Sequence, residues 1–185
     1  LADDVERTTK MINQIEGPVL LVGHSYGGAV ITEAGNNDKV AGLVYIAAFA
    51  PDTGESPGMI TQQNLPVAAA NLAPDSDGYL WVVPEKFHES FCQDLDLSES
   101  IAMGVAQKAP LASTFGDNIT TPAWKTKPCW YQISTQDRMI APENQRKMSA
   151  RMNPKEIIEL DASHASLASR PEEVTNFIIK AASSL

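Results

Sequence analysis

The stretch Val19-Leu20-Leu21-Val22-Gly23-His24-Ser25-Tyr26-Gly27-Gly28-Ala29-Val30-Ile31 decides the fold. An apolar run halts at Gly23, and a helix-compatible apolar segment resumes by Ala29, with the pattern G-x-S-x-G (Gly23, Ser25, Gly27) at the junction. That order reads as a nucleophile elbow, a strained strand-to-helix turn that lifts a serine hydroxyl above a parallel sheet. Gly23 and Gly27 are expected where a side chain would collide with the crossing strand and helix. The helix behind Ser25 points its N-terminus at the serine, so negative charge developing there is favoured. The Tyr26 N–H is the expected oxyanion-hole donor.

The same pentapeptide pattern recurs at Gly54-Glu55-Ser56-Pro57-Gly58 and serves as an internal control. Pro57 has no N–H to offer an oxyanion. No helix-periodic run is evident after it, and Pro51 and Pro57 mark a turn. Ser25 is therefore read as the nucleophile and Ser56 as a loop residue.

Outward from the elbow, Leu1, Val5, Thr8, Ile12 and Ile15 recur at helical spacing, with Asp3, Asp4 and Glu6 in the first turns and a stop at Gly17-Pro18. Pro18 to Val22 reads as a buried strand, Tyr26 to Ala34 as the helix behind the elbow, and Val40 to Ala48 as a strand covered on both faces. Regular alternation lapses from Pro51 to about Lys125, where only weak helices around Pro84 to Asp94 and Ser98 to Lys108 are expected. It resumes with a strand at Cys129 to Ile133, a helix at Pro142 to Met152 that begins on proline, a strand at Glu156 to Leu160 and a last helix at Glu172 to Ala182. Strand, loop and helix in this order argue for an α/β parallel sheet with its site at the C-terminal strand ends. The expected organisation is a core of residues 1–50 and 126–185, with 51–125 inserted as a cap. Apolar Met59, Ile60, Leu65, Leu80, Trp81, Phe87, Phe91 and Met103 are candidates for the underside of that cap.

Composition narrows the classes. The 185 residues suffice for one sizeable core. A net charge of −9 with scattered Lys and Arg argues against a nucleic-acid partner. The most apolar stretch, Val40 to Ala50, is too short to span a bilayer. Cys92 and Cys129 match no metal or redox spacing and are read as buried free thiols in preference to a disulfide. His24, His88 and His164 form no ligand pattern, so no metal and no cofactor is expected. Nothing resembles a secretory leader, and loss of one from a chain that opens on leucine stays open; a soluble protein is expected, with the cytoplasm preferred.

A serine hydroxyl needs a base. His164, just past the last strand in Asp161-Ala162-Ser163-His164-Ala165-Ser166, lies at the right end of the sheet. Asp137, just past the preceding strand, completes the order Ser, Asp, His and is preferred as the acid over Asp161. His24, Trp81, Phe87 and His88 are the substrate-contact candidates, although His24, adjoining the serine, is read first as a residue that packs or orients the turn.

Together Gly23-His24-Ser25-Tyr26-Gly27-Gly28, Asp137 in Asp137-Arg138-Met139-Ile140-Ala141-Pro142, His164 in Ser163-His164-Ala165, and Phe49-Ala50-Pro51-Asp52 resemble the α/β-hydrolase superfamily. The likeness is to bacterial esterase-like members related to the plant methylesterase and hydroxynitrile lyase branch. It implies several further strands before the elbow strand and a second oxyanion donor from one of their loops, and neither is found in these residues. The chain is thus expected to resemble the C-terminal two-thirds of such a fold, with an exposed apolar strand edge. A second chain or fragment supplying the missing strands is one expectation, and their loss by cleavage, omission or gene truncation another. With Tyr26 as sole oxyanion donor, the 185 residues alone are expected to turn over poorly.

The leading functional expectation is hydrolysis of a small or medium carboxylic ester through an acyl-enzyme, with Ser25 as nucleophile, His164 as base and Asp137 as acid. Two alternatives stand beside it. One is proton transfer of the hydroxynitrile-lyase type, which needs a cation such as Lys86, Lys108, Lys125 or Lys127 near the site. The other is a binder of small molecules without turnover, or a truncated remnant of the fold.

Overall fold

The computed structural model describes residues 1–185. Helix α1 (Ala2–Gln14) buries Ile12 and packs Leu1 and Val5 against the main core. Lys39 closes it, its Nζ donating to the carbonyls of Asn13 (2.9 Å) and Ile15 (2.7 Å). Gly17, at φ +83°, then turns the chain through a conformation that side chains disfavour. Strand β1 (Val19–Ser25) runs three residues beyond the expected Val22, into the G-x-S-x-G pattern itself. Helix α2 (Gly27–Ala34) and strand β2 (Val40–Ala48) follow.

Between β2 and the next strand of the main sheet lie helix α3 (Pro57–Gln63), strands β3 (Leu72–Pro74) and β4 (Leu80–Val82), and helices α4 (Phe87–Phe91) and α5 (Leu97–Ala106). Two sequence expectations fail here. The segment holds an antiparallel two-stranded sheet, β3 on β4, too short to show alternation. A helix does follow Ser56, which is its buried N-cap: the hydroxyl accepts from the Met59 N–H at 3.2 Å, and Pro57 opens the helix without needing a partner for its nitrogen. The underside is as expected in part, since Leu80, Phe87, Phe91 and Met103 line the space beneath the segment. Ile60 joins the main core and Phe87 and Phe91 a smaller one, but Met59 and Leu65 face solvent.

The core resumes with β5 (Cys129–Ser134), α6 (Pro142–Met152), β6 (Glu156–Leu160), the short α7 (Ser166–Ser169) and α8 (Pro171–Ser183). The main sheet is wholly parallel in the order β1-β2-β5-β6. One face is packed by the largest core cluster, built on Leu43, Tyr45, Tyr131 and Ile133. The other is covered by α8 through Val174, Phe177 and Ala181 against Val44, Ile46 and Trp130. The outer edge of β1 is unpaired, with Val22 at 41% exposure. Cys92 and Cys129 are buried free thiols. No helix is long and apolar enough to cross a membrane.

The glycines of the elbow divide their work differently from the expectation. A Cβ on Gly23 would lie 2.7 Å from the Gly27 carbonyl oxygen, whereas one on Gly27 would meet nothing within 4 Å. The close crossing belongs to Gly28, whose Cβ would stand 2.2 Å from the Phe49 carbonyl oxygen at the end of β2. Gly28→Ala is therefore expected to destabilise by about 3 kcal/mol or more, and Gly27→Ala to stay within about 1 kcal/mol of wild type. Urea unfolding of the two variants checks this, and equal stability would contradict the crossing.

Candidate active site

Parallel strands all end at the same edge, and three loops meet there. Ser25, the last residue of β1, takes φ +55°, a left-handed conformation that non-glycine residues rarely hold. Its carbonyl is tied down by the Phe49 N–H at 3.0 Å. The pairing of β1 with β2 slips between His24 and Ser25, opposite Ala47, another residue with positive φ. That bulge lets the serine leave the ladder at the sheet rim. The adjacent Tyr26 N–H has no partner within the chain. The Tyr26 ring leans on Phe115, and its hydroxyl donates to Asp4 at 2.8 Å.

Asp137 and His164 are 27 residues apart in sequence but sit on the loops after neighbouring strands β5 and β6. Backbone bonds continue the ladder past the strand ends: Thr135 N–H to Leu160 O at 2.9 Å and Gln136 N–H to Ala162 O at 3.0 Å. The two side chains meet directly, His164 Nδ1 lying 2.7 Å from Asp137 Oδ2. Asp137 Oδ1 accepts from the N–H groups of Met139 (2.7 Å) and Ile140 (2.9 Å), and Oδ2 also accepts from Gln145 Nε2 (2.7 Å). The rival Asp161 is exposed and accepts from Gln136 Nε2 at 3.0 Å, so it ties its loop to the one that carries Asp137 and does not meet the His164 ring.

From β6 the histidine loop must travel back. Three inter-strand spacings of about 4.8 Å separate β6 from β1, roughly 14 Å. The loop lands against the elbow, where His24 Nε2 lies 2.8 Å from the His164 carbonyl oxygen and the two imidazoles lean together, tilted by 44° with centroids 4.6 Å apart. A carbonyl only accepts, so His24 Nε2 carries the proton. Burial, and next the neighbouring His164, push the His24 imidazole down to about 4 from its ordinary 6.5. His164 is fully buried, and its Nε2, the nitrogen a serine hydroxyl would address, has no partner. The structure thus joins Asp137 to His164 and sets Ser25 beside their loop, without a hydrogen bond between Ser25 and His164.

A cavity of about 1280 Å³ opens over Ser25, walled by His24, Phe49, Phe87, Phe91, Met103 and Met139 among others, with more than half of its lining residues hydrophobic. Of the expected contact residues, His24 and Phe87 line it. Trp81 and His88 do not, because their polar atoms are committed elsewhere: Trp81 Nε1 donates to Asp75 at 2.8 Å, and His88 Nε2 lies 3.0 Å from the Leu95 carbonyl oxygen. Among Lys86, Lys108, Lys125 and Lys127 only Lys108 reaches the wall, joined by Arg7, which the sequence did not single out. Gln145 was likewise missed. Its fully buried amide donates to Asp137 and to the Ile140 carbonyl (2.9 Å), and its carbonyl receives the Ser134 N–H (3.1 Å). Nothing in a solvent-typical glutamine on a helix signals that role.

A strand-to-helix serine on a parallel sheet, beside a buried Asp–His pair, defines the α/β-hydrolase class of architecture. The model of the alpha/beta hydrolase family matches residues 1–177, and the chain belongs to that family. It is 26% identical to Methylesterase 8 of Arabidopsis thaliana over 175 residues, covering 87% of this chain and 62% of that protein's length. It is 26% identical to the probable hydrolase R7 of a Phoma species, covering 98% of this chain and 77% of R7. Among solved structures it is similar to a pyrethroid hydrolase from Sphingobium faniae JZ-2, with a TM-score of 0.74 and 25% identity over 95% of this chain and 75% of that one. This spread singles out no bacterial subgroup, and the similarities give no support for a second chain that would supply further strands.

Two outcomes test the site's construction. Since unfolded His24 titrates near 6.5 and folded His24 near 4, the unfolded chain binds more protons between those values. Stability is then lost as pH falls from 6.5 towards 4. The Tm of His24→Gln is expected to decline less than that of wild type across that window, and parallel curves would refute the burial of a neutral imidazole. Gln145→Leu, which strips partners from a buried carboxylate and a buried N–H, is expected to cost about 3 kcal/mol in urea unfolding.

Proposed function

We propose that the protein is a carboxylic ester hydrolase that works through an acyl-enzyme, with Ser25 as nucleophile, His164 as general base and Asp137 as the acid that orients it. The observation that carries this reading is the 2.7 Å contact of His164 Nδ1 with a buried Asp137. It leaves Nε2 as the ring nitrogen without a partner. In this reading Asp137 holds the tautomer with its proton on Nδ1, so Nε2 can take the Ser25 proton as the hydroxyl attacks the ester carbonyl. His164 returns that proton to the departing alcohol, and water repeats the cycle to free the acid. The Tyr26 N–H, unpartnered beside the serine, receives the oxyanion, assisted by the N-terminus of α2.

The names of relatives point the same way: methylesterase, probable hydrolase and pyrethroid hydrolase all describe hydrolytic proteins. The cavity wall is mostly apolar, which suits a neutral ester. Its volume exceeds the roughly 300–1,000 Å³ of ordinary small-molecule sites, so medium as well as small esters are accommodated. Residues 51–125 act as the cap over this space, and 1–50 with 126–185 as the catalytic core.

A fluorophosphonate probe followed by peptide mapping is expected to label Ser25 and not Ser56. On p-nitrophenyl esters, Ser25→Ala and His164→Ala are expected to lower kcat by at least about 10³-fold. Labelling elsewhere, or turnover retained in both variants, would overturn the assignment.

A further inference from the structure

The segment Glu89–Asp94, at the end of α4, makes four hydrogen bonds to the residues that flank Asp137 and His164. Ser163 N–H donates to Asp94 Oδ2 at 2.8 Å, and Ala165 N–H donates to the Phe91 carbonyl at 3.1 Å, so both residues flanking His164 are held. Gln93 Nε2 donates to the Gln136 carbonyl at 2.7 Å, and Arg138 Nη1 donates to the Glu89 carbonyl at 2.8 Å, so both residues flanking Asp137 are held as well. The Phe91 ring meets the His164 ring edge-on, with centroids 4.7 Å apart at 86°. Docking an inserted segment anywhere on the core would satisfy its backbone. Here the four bonds fall on positions 136, 138, 163 and 165 and bracket the two reacting side chains.

We infer that Asp94 is a positioning residue, the hook of a clasp by which the inserted segment sets His164 on Asp137. The inference rests on the reading of those two residues as catalytic. Of the four bonds, only Asp94 supplies a carboxylate to a backbone N–H, the stronger kind of acceptor. Asp94 itself is exposed whereas Ser163 and His164 are fully buried. The hook therefore reaches inward from a surface position, and truncating it leaves the core packing intact. Without it the histidine loop, which has already crossed the sheet rim from β6, keeps its hold at Ala165 and loses the one at Ser163. The imidazole then spends less time in line with Asp137 and Ser25, which lowers kcat more than substrate affinity.

The test compares Asp94→Ala, Asp94→Asn and Asp96→Ala with wild type. Asp96 is a neighbouring exposed carboxylate whose side chain makes no cap bond to α5, and it controls for charge. Two readouts are taken: ester kinetics, and the low-field proton NMR resonance of the imidazole Nδ1–H, assigned by its loss in His164→Asn. For Asp94→Ala the resonance is expected to broaden or vanish and kcat to fall about tenfold, part of the roughly 10²-fold that a 1 Å misplacement costs. KM is expected to stay within about twofold. Asp94→Asn, whose side-chain carbonyl can still accept from Ser163, is expected to recover most of both signals, and Asp96→Ala to match wild type. An Asp94→Ala protein with unchanged resonance and kcat would overturn the inference, as would an equal loss in Asp96→Ala. A wild type that shows the resonance but hydrolyses no ester would defeat the esterase reading instead, and the resonance of the variants would still decide the role of Asp94.

Discussion

A carboxylate taken out of water must have its oxygens satisfied, and Asp137, at 4% exposure, meets that demand with four donors from three parts of the chain. Two are backbone N–H groups of its own loop, one is the Gln145 amide from α6, and one is His164 from the loop after β6. Removing any donor leaves a buried charge short of a partner, so the positions of α6 and of both loops are coupled through one side chain. The polar layer continues behind it: Gln145 also takes the Ser134 N–H, and Gln132 spans Ser134 and Ser166. A paired interior of this kind is rigid, because each alternative arrangement leaves polar groups unsatisfied.

The elbow works by the opposite means. Its geometry comes from close backbone approach and a strained residue rather than from polar pairing. Gly28 lets α2 cross the end of β2 with no room for a side chain, and the slip in the ladder beside Ala47 releases Ser25 into a left-handed conformation. Strain at one residue persists only where its surroundings over-determine it. Here the Phe49 N–H on the Ser25 carbonyl and the rigid parallel ladder supply that constraint. The buried Tyr45–Tyr131 stack beneath reinforces the same end of β2, because the Tyr131 hydroxyl donates to the Ala48 carbonyl.

The segment between β2 and β5 joins these two halves. Its ends belong to the main core, through Ile60 near its start and Ile119, Ala123 and Trp124 near its finish. Its middle forms a smaller cluster around Val82, Phe87 and Cys92 that includes Ala165 of the histidine loop. Apolar packing thus draws the segment onto the loop, and the four hydrogen bonds set its register there.

The sequence by itself determined the α/β order of elements, the parallel sheet and the strand-to-helix turn at Ser25, because each is written in local terms: an apolar run broken at Gly23, helical spacing in Leu1 to Ile15, Pro142 at a helix start. It also put Asp137 and His164 after neighbouring strands, and the 2.7 Å contact between them came from the fold. The register of short strands such as β3 and β4, the capping role of Ser56 and the work of Gly28 in place of Gly27 needed the fold. So did the recruitment of Gln145 and Asp94, and the withdrawal of Trp81 and His88 from the cavity. Those features depend on which backbone atom or polar group faces a residue across the structure. That pairing is made between segments up to 140 residues apart, as in the contact of His24 with His164, and no local pattern encodes it.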